Sequence, residues 1–212
     1  MKKIFNYYKK IIRSDNKIYI FLILVFIFGL LIGSLFINYI NLEDKKLLTS
    51  QVTTYFNSIK KLSNDVYGIN AFYDTLLNNT LVIFIIFILG ISMIGIIIVI
   101  FILLFKGFTL GATISSIILK YKYKGILMAL FYIFPIGILN ILIIIFFSFF
   151  AINSSIKFIN AIVKKDNLNF KSFLGKYIVS FIITFIITII LSFLDSYLTP
   201  IILKLITTFF NK

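Results

Sequence analysis

The sequence predicts an all-α, polytopic transmembrane bundle of about five spans, and three observations carry that prediction. Hydrophobic residues make up 61% of the 212 and charged ones 13%, where a soluble domain carries about a quarter charged. The apolar residues are gathered into runs of roughly 20 or more, the length that about 30 Å of hydrocarbon requires of a helix. Lysines flank those runs instead of interleaving with them. No long polar block is left for a soluble domain, so function has to reside in membrane helices, their loops or their partners.

Residues 1–17 hold Lys2, Lys3, Lys9, Lys10, Arg13 and Lys17 against Asp15. This basic juxtamembrane segment places the amino end in the cytoplasm. It reads equally as a short helix on an anionic leaflet or as a solvated tail. Residues 18–40 form the first span, too long for a signal-peptide core and followed by no cleavage pattern. Residues 41–80 are the one sizeable polar segment, extracytoplasmic by the orientation of the first span. Within it Leu48, Val52, Tyr55, Phe56, Ile59, Leu62 and Val66 recur at three- and four-residue spacing, which describes an amphipathic helix of about five turns. Its apolar stripe needs a partner. Either the bilayer surface or the protein's own helices cover it, or an exported protein docks there, with Leu48, Val52, Phe56, Ile59 and Leu62 as the docking residues.

From Leu81 to Leu119 the chain carries a single charge, Lys106. One helix of that length would measure about 58 Å, nearly twice the hydrocarbon thickness, so the run has to fold back. A lysine at the bilayer centre costs about 3 kcal/mol, whereas at an interface its ammonium snorkels to water. Gly107 permits a sharp turn. The sequence therefore predicts a surface turn at Lys106 between a second span (81–105) and a short or re-entrant third segment (107–122). Residues 125–152 form a fourth span kinked at Pro135. Residues 153–172 are a basic loop suited to the cytoplasm, and 173–194 a fifth span. In the interfacial segment 195–212, Thr199 is placed to cap a helix beginning at Pro200. The amino end is then inside and the carboxyl end outside.

Gly29-x-x-x-Gly33 and Gly107-x-x-x-Gly111 offer strips on which another helix can approach closely. They serve either packing within this bundle or a seam with a second copy or partner. Asp195 is the only acid in or beside the later spans. It is either a functional buried acid or a solvated interfacial carboxylate.

Catalytic chemistry is poorly supplied. The chain has no His and no Cys, hence no imidazole base, no thiol nucleophile and neither common ligand for zinc or copper. No phosphate-binding GxxxxGK[ST] loop is present. The expectation is a non-enzyme without cofactor or metal. Lipid phosphates, not nucleic acid, are the natural counterions of lysines placed at the ends of spans.

Three short motifs in order resemble the stage II sporulation protein M family. "KGFTLGATIS" (106–115) is similar to that family's Lys-Gly-Phe-x-x-Gly hairpin. The proline of "LFYIFPIGILNI" is similar in place to one in its following span. "DSYLTPIILKL" (195–205), with Asp195, Tyr197 and Pro200, resembles its acidic-x-Tyr-x-x-Pro ending. Two positions depart from the pattern of many relatives: Ile136 stands where they carry His, and Asp195 where they carry Glu.

The resemblance implies a multi-pass protein of the mother-cell membrane at the sporulation septum, acting as a scaffold during forespore engulfment. Its implied partners are the stage II sporulation proteins D and P, which cut septal peptidoglycan. An alternative from another class is a permease subunit, with Lys106, Asp195 and the kink at Pro135 lining a solute path.

Overall fold

The computed structural model describes residues 16–134, 136–163 and 170–209. The basic segment through Asp15, Pro135 and residues 164–169 and 210–212 lie outside the described residues, and of the expected basic loop 153–172 the described first part, 153–163, is helical. The described residues are all-helical: α1 (Asn16–Tyr39), α2 (Leu42–Lys61), α3 (Ile69–Leu89), α4 (Gly95–Ile133), α5 (Ile136–Val163) and α6 (Phe170–Phe209). Five of them, all but α2, are long and apolar enough to cross a membrane.

The long apolar run does fold back, but not at Lys106. It turns at Gly90–Ile94, between α3 and α4, and Lys106 and Gly107 lie inside the continuous helix α4. The reason lies in tertiary packing. The carbonyls left free at the end of α3 find side-chain donors: Tyr177 OH donates to Phe87 O at 2.9 Å and Ser155 Oγ to Gly90 O at 3.1 Å. Side-chain hydroxyls thus satisfy carbonyls that the end of a helix leaves without backbone donors.

A second reversal divides α4. Lys122 has φ 53° and ψ −128°, and a Cβ on Gly125 would stand 2.6 Å from the Ile117 carbonyl oxygen. Eight residues along a straight helix are about 12 Å apart, so the chain doubles back at Lys122. The short arm after it packs Met128 and Ala129 against Ile117. Phe134 is extended, and α5 starts at Ile136. The fourth span is therefore two helices in sequence.

Helices α1 and α4 make the closest pairing. A Cβ on Gly29 would collide with the Leu104 carbonyl and one on Gly33 with that of Phe108. On the facing strip, Gly107 meets the Phe26 carbonyl and Gly111 that of Leu30. Contacts advance by four residues in the same direction on both helices, so the two run parallel with their glycine strips interlocked. Of the two uses expected for these glycines, packing within one chain is the one seen. Gly107 therefore serves close approach, not a turn.

Helix α6 runs antiparallel to α3. Tyr177 stacks on Phe87, Phe193 meets Phe72, and Tyr197 meets Tyr67 further along. Its buried seam carries Ser180, Thr184, Thr188, Ser192 and Ser196 at four-residue intervals. Thr184 and Thr188 donate to the carbonyls four residues back at 2.9 Å, so these hydroxyls are satisfied within the helix while the narrow face admits neighbours. The helix continues through Pro200 to Phe209, which corrects the expected break there. Thr199 caps nothing: its Oγ1 donates to Asp195 Oδ1 at 2.7 Å.

Helix α2 lies across the end of the bundle that holds the Lys122 reversal. Glu43 and Asp44 in its first turn and Lys60 and Lys61 in its last complement the helix dipole. Leu62 closes it in the left-handed conformation, φ 51°, its N–H donating to Ile59 O at 3.0 Å. The expected apolar stripe is present and is covered by the protein itself. Phe56 and Ile59 are both fully buried among Ile117, Met128, Ala129 and Leu203.

Candidate functional site

A cavity of about 390 Å³ opens among all six helices. Phe26 of α1, Tyr55 of α2, Asp74 and Asn79 of α3, Lys106 and Thr113 of α4, Asn140 of α5 and Asp195 of α6 each contribute to its wall. Such polar density is unusual for a bundle whose spans are otherwise apolar, and polar or ionisable groups inside a membrane mark functional sites by default.

Depth follows from helix geometry. Lys106 stands eleven residues after the start of α4 at Gly95, about 17 Å along the axis and so near the middle of a hydrocarbon layer of about 30 Å. Leu103 and Ile144 beside it in the wall are buried core residues. Asp65 and Asp74, by contrast, are exposed and belong to the α2–α3 connection and the first turns of α3. The cavity therefore runs from the α2 end of the bundle to mid-membrane. A lysine at that depth is tolerable because the cavity gives its ammonium a polar path, which replaces the surface turn expected from the sequence.

Asp195 lies in the same wall, with Ser196, Thr199 and Pro200. Its one side-chain hydrogen bond is from Thr199. Pro200 has no N–H to give to the Ser196 carbonyl four residues back, so a backbone acceptor is left without its helical donor one residue from the carboxylate. Among the described residues no carboxylate is in ion-pair contact with Lys106. Cation and anion thus face one cavity without being spent on each other.

Tyr55 and Tyr132 form an edge-to-face pair, ring centroids 6.0 Å apart, in the wall nearest α2. Burial above all, then the neighbouring Tyr132 and Asp195, raises the Tyr55 phenol above its ordinary value. It stays a neutral hydrogen-bonding group at any physiological pH. On the other side of this pair a crevice of about 240 Å³ runs between α2 and α4, lined by Leu48, Val52 and Ser116 among others.

The residues singled out from the sequence fall into three groups. Lys106, Asp195 and Pro200 come together in the cavity. Gly29, Gly33, Gly107 and Gly111 form the α1–α4 seam, and Tyr197 packs on Phe193 and Tyr67 outside the cavity. Of the docking residues, Phe56 and Ile59 are closed off inside the protein, and Leu48, Val52 and Leu62 are half-buried. Core packing of α2 takes the stripe that a partner would have needed. Asn79, whose Nδ2 donates to Ser192 Oγ at 3.4 Å, Asn140, Tyr55 and Tyr132 carried no signal beyond being polar or amphipathic residues beside apolar runs.

Neither a curated protein nor a solved structure matches the chain. The sequence profile described as stage II sporulation protein M matches residues 22–200, a stretch that begins in α1 and ends at the proline beside the cavity. With most of its length covered, the chain belongs to the stage II sporulation protein M family, a sporulation-related membrane protein family not known to comprise enzymes.

Proposed function

We propose that the protein is a non-enzymatic scaffold in the septal membrane of the mother cell, holding peptidoglycan-remodelling enzymes during forespore engulfment. The family supplies the context, and the observation that supports a scaffold is the mounting of α2. Its apolar face is locked into the bundle through Phe56 and Ile59, while Gln51, Thr54 and Asn57 point away as exposed polar residues. A helix fixed in this way presents a rigid surface beyond the membrane at little ordering cost to a partner. The stage II sporulation proteins D and P are the partners this reading assigns. The docking surface moves from the buried stripe to the exposed face of α2 and the adjoining Tyr39, Leu42 and Leu47, which are 84%, 76% and 61% exposed.

A photocrosslinking residue at Gln51 or Asn57, introduced in sporulating cells, tests the reading. Capture of either exported enzyme is the expected result, and adducts with lipid alone would overturn it. The cavity favours a second reading, a permease subunit, since charged residues in mid-membrane are what transport sites use. Solute flux through liposomes containing the purified protein separates the two, a scaffold adding nothing to the background leak.

A further inference from the structure

We propose that the cavity is a binding site for a small soluble zwitterion, taken up from the α2 side of the membrane with its anionic group at Lys106 and its ammonium at Asp195. The inference depends on neither reading of the protein's role.

Three observations point to this chemistry. The cavity volume, about 390 Å³, falls in the range of small-molecule sites, roughly 300–1,000 Å³. Among the described residues its wall holds one cation, Lys106, at depth, and in another helix Asp195 beside the Ser196 carbonyl, to which Pro200 has no N–H to give. Among the described residues neither charged group has an ionic partner, and a ligand supplying one charge to each offsets the desolvation of both at once. The wall also carries the apolar Leu103, Ile141 and Ile144 among its polar residues, which suits a ligand whose two charges are joined by a short hydrocarbon.

A bare anion would answer Lys106 and leave Asp195 uncompensated. A bare cation would do the reverse. Asp65 and Asp74 at the mouth also favour entry of a molecule whose ammonium leads or balances its anion. A lipid headgroup offers the same pair of charges, but a wall built from all six helices suits a solute better than a molecule that must keep its chains in the bilayer.

The chain contains no cysteine, which permits a clean reporter. Thr113→Cys places one thiol in the cavity wall, and the purified full-length protein in detergent is treated with a maleimide. The probes are ω-amino carboxylates from glycine to 8-aminooctanoate, with n-hexylamine and hexanoate as singly charged controls. At least one zwitterion is expected to slow labelling, with an apparent affinity about tenfold to a hundredfold above either control. Lys106→Met should abolish the advantage over the amine, and Asp195→Asn the advantage over the carboxylate. Thermal melts of both variants without ligand establish that they are folded.

Equal protection by hexylamine would show a cation site and overturn the proposal. So would protection seen only in nanodiscs containing phosphatidylethanolamine, which would mean a lipid, or no protection by any member of the series.

Discussion

Replacing Gly29 and Gly33 together by alanine should loosen the α1–α4 seam and little else. At Gly33 the new methyl would stand 2.7 Å from the Phe108 carbonyl carbon and 2.8 Å from its Cα, against 3.4–4 Å for ordinary contact. At Gly29 the corresponding distances to Leu104 are 3.0 and 3.1 Å, with the carbonyl oxygen nearer still in both cases. These are backbone atoms of a facing helix and cannot rotate away, so α1 and α4 must separate by several tenths of an ångström. Overpacking of this kind costs about 2–3 kcal/mol per site, offset by about 1 kcal/mol that alanine gains over glycine as a helix former. The net loss is then about 2–4 kcal/mol for the pair, a fall in Tm of roughly 4–16 °C for a chain of this size.

Gly175 serves as the internal control, because nothing lies within 4 Å of a Cβ placed there. Gly175→Ala should raise stability by about 0.5–1 kcal/mol. The assay is thermal unfolding of the purified variants in one detergent, followed by intrinsic tyrosine fluorescence, since the protein has no tryptophan. If the seam variant melted at or above the parent while Gly175→Ala did the same, the backbone-to-backbone pairing would be wrong.

Other substitutions test separate parts of the fold. Phe56→Ala removes a fully buried ring from the α2 anchorage, so a loss of about 3–5 kcal/mol is expected in the same melts, whereas the exposed Asn57→Ala should change little. Tyr177→Phe strips the donor from the end of α3 and should cost about 1–3 kcal/mol, read as a lower midpoint in a denaturant titration. Lys122→Gly relieves a side chain held at φ 53°. It should raise the melting midpoint slightly, the relief of about 1–3 kcal/mol outweighing the entropy glycine adds to the unfolded chain.

Much of the fold was legible in the sequence because hydrocarbon thickness imposes its length on every span. The run from Leu81 to Leu119 could not be straight, and it is not. The one charged residue suggests a turn at Lys106, whereas the fold uses "GISMIG", residues 90–95, where glycine and serine are the punctuation and the hydroxyls of Tyr177 and Ser155 complete the helix end. Those donors come from α6 and α5, so no local pattern announces them. Lys106 misled for the same reason. A buried ammonium is costly against lipid, but the fold surrounds it with a polar cavity assembled from six separate segments.

The stripe from Leu48 to Leu62 is amphipathic by its spacing alone, yet periodicity cannot tell a partner from the protein's own core, and only the packing of Phe56 and Ile59 decides it. The seam of Ser180, Thr184, Thr188, Ser192 and Ser196 was readable as a four-residue recurrence of small hydroxyls inside an apolar span. Asp195 was legible as an unusual acid. Its company in the cavity was not, since Lys106 and Tyr55 reach it only through tertiary packing.

In this fold residues 90–94 stand at one end of the bundle and α2 and Lys122 at the other, with Lys106 between them. Single cysteines at Met93, Asn57 and Lys122, labelled in right-side-out and inverted vesicles by a membrane-impermeant maleimide, measure this most directly. Met93→Cys is expected to react only from the cytoplasmic face, and Asn57→Cys and Lys122→Cys only from the opposite one. Labelling of Met93→Cys and Asn57→Cys from the same face, or a cysteine at Lys106 reacting from the cytoplasm as fast as Met93→Cys, would contradict it.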